Sequence, residues 1–207
     1  MAAKQEFESR FAKHKDELEW LFMELYHNRE GLEVLEREMA EAYNARSAEL
    51  KALDKARSAD PEWYKRGNMF GMTMYTDLFA GNLKELAKKL PYLKDMGIDI
   101  IYLNPIFRAR SNHRYDTGDY TQVDPLCGTN TEFTELCEAA KKVGIRVMLD
   151  GVFSHTGEDS VYFNHFGHYP TLGAYQGQSS PYYDWYTFNH YPEDYKAWWG
   201  ILSLPEL

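Results

Sequence analysis

Gly97-Ile98-Asp99-Ile100-Ile101-Tyr102-Leu103-Asn104-Pro105 is the stretch from which the fold class is read. Ile98 to Leu103 form a short apolar run closed by Gly97 on one side and Asn104-Pro105 on the other, the pattern of a strand buried in a parallel sheet. Immediately upstream, Leu83, Leu86, Leu90 and Leu93 recur at three- and four-residue steps between Gly81 and Met96, which predicts a helix ended by Gly97. Before that, Met69 to Tyr75 reads as a strand. The cycle repeats downstream. Thr131 to Val143 is helical in pattern, with Thr131 near its start and Gly144 after its end, and Ile145 to Asp150 is another apolar strand. Strand, helix, strand, helix, strand with short connections is the signature of parallel βαβ units, so the fold class is α/β.

Outward from this centre the character changes on both sides. Residues 4–60 contain no proline and one glycine, Gly31, and are rich in Ala, Glu, Leu, Lys and Arg, a helix-favouring composition. Phe7, Phe11, Leu18, Leu21, Phe22 and Leu25, then Leu32, Leu35 and Met39, recur at helical spacing with a break at Asn28 and Gly31, which predicts two or three amphipathic helices in a structural role. Pro61 marks the boundary. From His155 to Leu207 no period holds, and 14 of the chain's 32 aromatic residues lie between Tyr162 and Trp199. Such density requires a compact aromatic core or a sugar-stacking surface, and core is the commoner use. Three regions result: an amino-terminal helical domain (1–66), βα units (67–155) and an aromatic-rich insertion (156–207). A closed eight-stranded (β/α)8 barrel takes about 250 residues. Residues 69–150 supply at most the first three of its units, so the barrel is expected to be incomplete.

Composition narrows the partners. Of 207 residues, 44% are hydrophobic and 15% aromatic, the profile of an ordered chain rather than a disordered one. The formal net charge is −9, which repels phosphate backbones and anionic bilayers, so neither nucleic acid nor membrane is an expected partner and neutral ligands fit better. No apolar run reaches the 18 or so residues needed to span a bilayer, and Met1 to Arg10 lack a signal-peptide core. Cys127 and Cys137 are too few for a disulfide scaffold and read as two reduced thiols, placing the chain in the cytoplasm. Nothing in the sequence sets an oligomeric state.

In parallel α/β folds of the barrel type the chemistry lies at the carboxyl ends of strands. After Leu103 comes Asn104-Pro105-Ile106-Phe107, then Ser111-Asn112-His113-Arg114-Tyr115-Asp116-Thr117-Gly118-Asp119-Tyr120. After Leu149 comes Asp150-Gly151-Val152-Phe153-Ser154-His155-Thr156-Gly157. In this order and spacing the two segments resemble the α-amylase superfamily (glycoside hydrolase family 13), with further matches at Asp124-Pro125-x-x-Gly128-Thr129 and Leu90-Pro91-Tyr92-Leu93-Lys94-x-x-Gly97. Within it, residues 98–207 look most like the cyclomaltodextrinase and neopullulanase group. Residues 1–97 look like amylosucrase, through Leu50 to Asp54, Ala59 to Trp63 and Tyr75 to Leu83.

The resemblance implies a retaining glycoside hydrolase or glucosyltransferase acting on α-glucan or sucrose. It places Tyr115 as the ring that stacks on the sugar, with Asp116 and His155 also binding substrate, and His113, Asp119 and Asp150 in support. One departure matters: the family's asparagine before the histidine is Ser154 here, a poorer calcium ligand, so no calcium and no other cofactor is expected. His165, His168 and His190 fit no closed zinc pattern. Retaining chemistry needs two carboxyl groups about 5 to 5.5 Å apart, a nucleophile and an acid. The resemblance puts both after strands four and five, beyond Leu207. The chain is therefore read as the amino-terminal portion of such an enzyme, inactive by itself. The alternative reading is a non-catalytic carbohydrate-binding or interaction protein.

Overall fold

A computed structural model describes residues 2–67 and 69–207. The chain divides into two compact units, Met1–Arg66 and Gly67–Leu207.

The first unit is helical throughout: α1 (Ala2–Phe11), α2 (Lys15–Tyr26), α3 (Arg29–Ala45) and α4 (Ala48–Ala59). The expected two or three helices are four, and none of the three breaks between them carries proline or glycine. Asn28 does end one stripe and start the next, as the cap of α3, but Gly31 lies inside α3 and donates its N–H to Asn28 Oδ1 at 2.9 Å. Between α3 and α4 the stop signal is Ser47, whose hydroxyl accepts from Leu50 N at 3.2 Å. Phe7 on α1 meets Tyr43 on α3, ring centres 5.7 Å apart.

The second unit opens with β1 (Gly71–Met74), a short α5 (Thr76–Ala80), α6 (Leu83–Asp95) and β2 (Ile100–Leu103). Asn82 caps α6 through Glu85 N at 2.9 Å, and Leu83, Leu86, Leu90 and Leu93 are all buried. Each such leucine contributes about 1.5–3 kcal/mol of burial. Next come β3 (Phe107–Ala109), β4 (Thr117–Val123), α7 (Asn130–Val143) and β5 (Arg146–Leu149). The residue that starts α7 is Thr129 rather than Thr131: its hydroxyl accepts from Glu132 N and Glu132 returns a bond to Thr129 N, a reciprocal capping box. Gly144 ends α7 in the left-handed region at φ 73°, where glycine alone is unstrained.

β1, β2 and β5 form one parallel sheet in the order β1-β2-β5. The aliphatic core sits between this sheet and α6–α7, with Ile101, Leu103 and Leu136 fully enclosed. β5 departs from the expected fully buried strand. It is an edge among the described strands, and Met148 stays half exposed. The sequence reading places no strand between Asn104 and Asp124, yet β3 and β4 form an antiparallel hairpin there. Beyond β5 the backbone is largely irregular, with two single 3-10 turns (Tyr183–Trp185 and Trp198–Gly200) and the small pair β6 (Phe188–His190) and β7 (Asp194–Tyr195).

Candidate active site

Register builds the site. Met74, Leu103 and Leu149 are aligned across the sheet, so Tyr75, Asn104 and Asp150 leave it side by side at the carboxyl edge. The ladder continues one step past the strands: Asn104 N donates to Met74 O and Asp150 N to Leu103 O, both at 3.0 Å. Asn104 and Asp150 are thereby fixed by backbone bonds before their side chains make any contact.

Tyr115 is brought to this edge by the loop between β3 and β4. Its hydroxyl donates to Asp150 Oδ2 at 2.8 Å and accepts from Asn104 Nδ2 at 3.3 Å. Burial and the Asp150 carboxylate push the Tyr115 hydroxyl up to about 12, so it remains a neutral donor at any physiological pH. Burial, with the nearby Asp150 carboxylate, raises the Tyr102 hydroxyl too.

His155 approaches from the other side and is almost wholly enclosed. Its Nε2 lies 3.0 Å from the Tyr115 carbonyl, and its Nδ1 lies 3.1 Å from Ser154 Oγ. A carbonyl can only accept, so Nε2 carries the proton and Ser154 donates to Nδ1. Burial lowers the His155 pKa below the usual histidine range, consistent with a neutral ring. Both ring nitrogens are therefore engaged with this chain, and a sugar hydroxyl would have to displace one of them. Trp198 covers the imidazole face, ring centres 5.2 Å apart.

Asp116 and His113 serve the loop itself. Asp116 Oδ2 accepts from Ser111 N at 3.0 Å and Oδ1 takes the Ser111 hydroxyl, while His113 Nδ1 accepts from Tyr115 N at 3.1 Å. Gly157 packs against the same loop, where a Cβ would stand 2.6 Å from Asp116 O. Asp119 does not join the cluster: its carboxylate turns along β4 to Thr121 N at 2.8 Å and Thr121 Oγ1 at 2.6 Å. A cleft of about 570 Å³ opens on the Asp116 side, walled by Arg110, His113, Glu158, Asp159 and Ile201 among others. The residue that sequence reasoning missed is Arg114, which is wholly buried and paired with Asp77 at 2.9 Å.

Among the described residues no group of three or more His, Cys, Asp or Glu side chains could hold a metal ion. His165, His168 and His190 pair with three different carboxylates, Glu158, Asp159 and Asp194. Cys127 and Cys137 are both free thiols, and among the described residues no helix is long and apolar enough to cross a membrane.

In parallel α/β folds of the barrel type the working residues sit at the carboxyl ends of strands, and this edge gathers tyrosine, asparagine, aspartate and histidine. The family "Alpha amylase, catalytic domain" matches residues 36–199, and the chain belongs to that family of glycoside hydrolases acting on α-glucosidic bonds. It is 53% identical over 135 residues to the amylopullulanase of Thermoanaerobacterium saccharolyticum, a match covering 62% of this chain and 10% of that protein. It is 42% identical over 138 residues to the cyclomaltodextrinase of Geobacillus thermopakistaniensis (64% of this chain, 22% of that protein). Among solved structures, the debranching enzyme from Nostoc punctiforme superposes with a TM-score of 0.60 at 30% identity, covering 67% of this chain and 35% of that one. The chain thus spans between about a tenth and a fifth of the length of these curated relatives. The amylosucrase likeness of residues 1–97 rests on sequence alone.

Proposed function

We propose that this chain is the amino-terminal portion of a retaining α-glucan-active glycosidase, and that residues 67–155 are the first three βα units of its (β/α)8 barrel. The observation that carries the reading is the Tyr115–Asp150–Asn104 cluster, held at the carboxyl edge by strand register and closed from behind by His155. In this reading the Tyr115 ring meets the sugar at the cleavage point, and Asp150 fixes the angle of that ring. His155 holds the main chain beneath it. None of these groups is the nucleophile or the acid, both of which are assigned to sequence after residue 207. The likeness to an amylopullulanase and a cyclomaltodextrinase supports an α-glucan substrate over sucrose.

The test is Tyr115→Ala in the complete enzyme, assayed on maltodextrin, pullulan and sucrose. Losing the stacked ring and its bond to Asp150 is expected to lower kcat/KM on the glucans about 10- to 100-fold, equivalent to about 1.4–2.7 kcal/mol, with the melting temperature changed little. Unchanged turnover removes Tyr115 from the site. Sucrose as the better substrate overturns the glucan assignment, and affinity for glucan with no turnover in the unmodified enzyme turns the reading to a binding protein.

A further inference from the structure

Among the described residues Arg114 is the only lysine or arginine sealed from solvent. A buried guanidinium is unfavourable unless its charge and its donors are met. Here carboxylates from two segments meet the charge and a carbonyl of its own loop meets one donor, while Nε and Nη2 find no acceptor in hydrogen-bond geometry. Arg114 Nη2 lies 2.9 Å from Asp77 Oδ1 in the first turn of α5, directly after β1. Nε lies 3.7 Å from Asp124 Oδ1, just past β4. Nη1 donates to Asn112 O in its own loop at 2.6 Å. Asp124 is itself held, accepting from Leu126 N at 2.9 Å and Ala109 N at 3.3 Å. Beside the cluster the fully enclosed Cys127 thiol is pushed up to about 11, mainly by burial, and stays neutral.

The backbone at Arg114 is left-handed, φ 62°, a region an arginine occupies only where its surroundings dictate it. Ser111 Oγ accepts from Arg114 N at 3.1 Å and helps to hold that turn. The next residue is Tyr115, whose hydroxyl reaches Asp150 and whose carbonyl reaches His155. The inward guanidinium and the outward phenol are therefore the two sides of one reversal. We propose that Arg114 is the positioning residue for Tyr115: by clamping Asp77, Asp124 and the Asn112 carbonyl it holds the left-handed turn that delivers the phenol to Asp150. Arg114 has no exposed atom with which to touch a ligand, and it acts through Tyr115 alone. The functional importance of this rests on Tyr115 being the sugar-facing ring; the geometric claim does not.

The test therefore reads Tyr115 directly, on this chain and without sugar. Tyrosine is labelled with 13C at Cζ, a nucleus that reports hydrogen bonding of its hydroxyl, and the Tyr115 resonance is assigned by its disappearance in Y115F. D150N sets the displacement expected when the carboxylate acceptor is lost. Arg114→Met, which keeps an apolar stem and removes the charge, is expected to move the Tyr115 resonance at least half as far in the same direction, leaving Tyr186 and Tyr195 of the aromatic core in place. An unmoved Tyr115 resonance in folded R114M overturns the proposal. So does a displacement of Tyr186 and Tyr195 as large as that of Tyr115, which would make the clamp a general support of the fold. Should R114M fail to fold, Asp77→Asn removes one arm at a partly exposed position and is expected to give a smaller displacement in the same direction; an unmoved resonance there is equally decisive against it. Failure here leaves the glucan reading standing, and a failed Tyr115→Ala assay leaves this result standing.

Discussion

The second unit has two cores made by different means. Between the sheet and helices α6 and α7, burial is achieved by repetition: leucines at helical spacing, isoleucine and leucine in alternation on β2, and backbone pairing along helices and between neighbouring strands. In residues 156–207 there is almost no regular structure, and rings do the filling. Phe163, fully enclosed, meets Tyr195 at 4.8 Å, Tyr186 at 4.9 Å and Tyr175 at 5.5 Å between ring centres. The tyrosine hydroxyls are spent on local partners: Tyr186 with Thr156 Oγ1 at 2.8 Å, Tyr195 donating to Leu202 O at 2.9 Å. Irregular backbone leaves carbonyls with no ladder to join, so polar side chains must enter the core to serve them. Buried Asn164, which donates to two such carbonyls, is the result, and buried Ser160 accepts from Phe163 N in the same segment.

If the two cores are distinct in cooperativity as well as in construction, truncation in each should read differently. Phe163→Ala is expected to cost about 3–5 kcal/mol and Leu90→Ala about 2–5 kcal/mol. In urea titrations F163A should lose its near-ultraviolet circular dichroism, dominated by packed rings, before its helical signal. L90A should lose both together. Coincident transitions in F163A would show that the insertion and the sheet melt as one body.

The same contrast explains what was legible in the sequence. α6 and α7 and the three parallel strands were readable because burial there follows a period, and because Gly97 and Gly144 close the helices with the left-handed turn that glycine allows. Tyr115, Asp150 and His155 were readable as a motif, and the structure brings them together. Arg114 was not singled out: a charged residue between two motif positions reads as a solvated one, and only the distant Asp77 and Asp124 reveal where it points. The β3–β4 hairpin was hidden because Thr117, Asp119, Thr121 and Gln122 give β4 no apolar face to announce it. Asp119, flagged by the same motif, turns away to Thr121 for a local reason that no spacing encodes: two donors lie two residues on.

A smaller effect probes the polar side of the comparison. Asn164 stands in the left-handed region at φ 52°, which asparagine tolerates better than most residues. Its Nδ2 reaches Tyr169 O at 3.0 Å, Thr171 O at 2.8 Å and Gln176 Oε1 at 3.0 Å. Asn164→Ala strands those acceptors in a buried site and is expected to cost about 1–3 kcal/mol by thermal denaturation. A neutral result would mean that rings alone hold the segment, with the polar side chains as passengers.

The smallest expected effect is at the junction of the two cores, where His155 has Tyr115 on one side and Trp198 on the other. Burial lowers its pKa from 6.5, opposed by the bond to Tyr115 O and by the Asp116 charge. As acid is added, the unfolded chain takes up the proton near pH 6.5 while the folded chain still resists it. The unfolded state therefore binds more protons in that window, and stability falls as pH falls. Asp99 and Asp194, whose pKa values lie below the usual carboxylate range, lose their contribution only at far lower pH and leave the histidine window clear. Melting temperatures taken between pH 7.5 and 5.5 should decline for the parent chain, and the decline should be reduced in His155→Gln, which keeps a donor toward Tyr115 O without the titration. A rise in stability over the same interval would mean that a protonated His155 is paired with Asp116. The hydrogen bond that closes the site from behind would then be ionic rather than neutral.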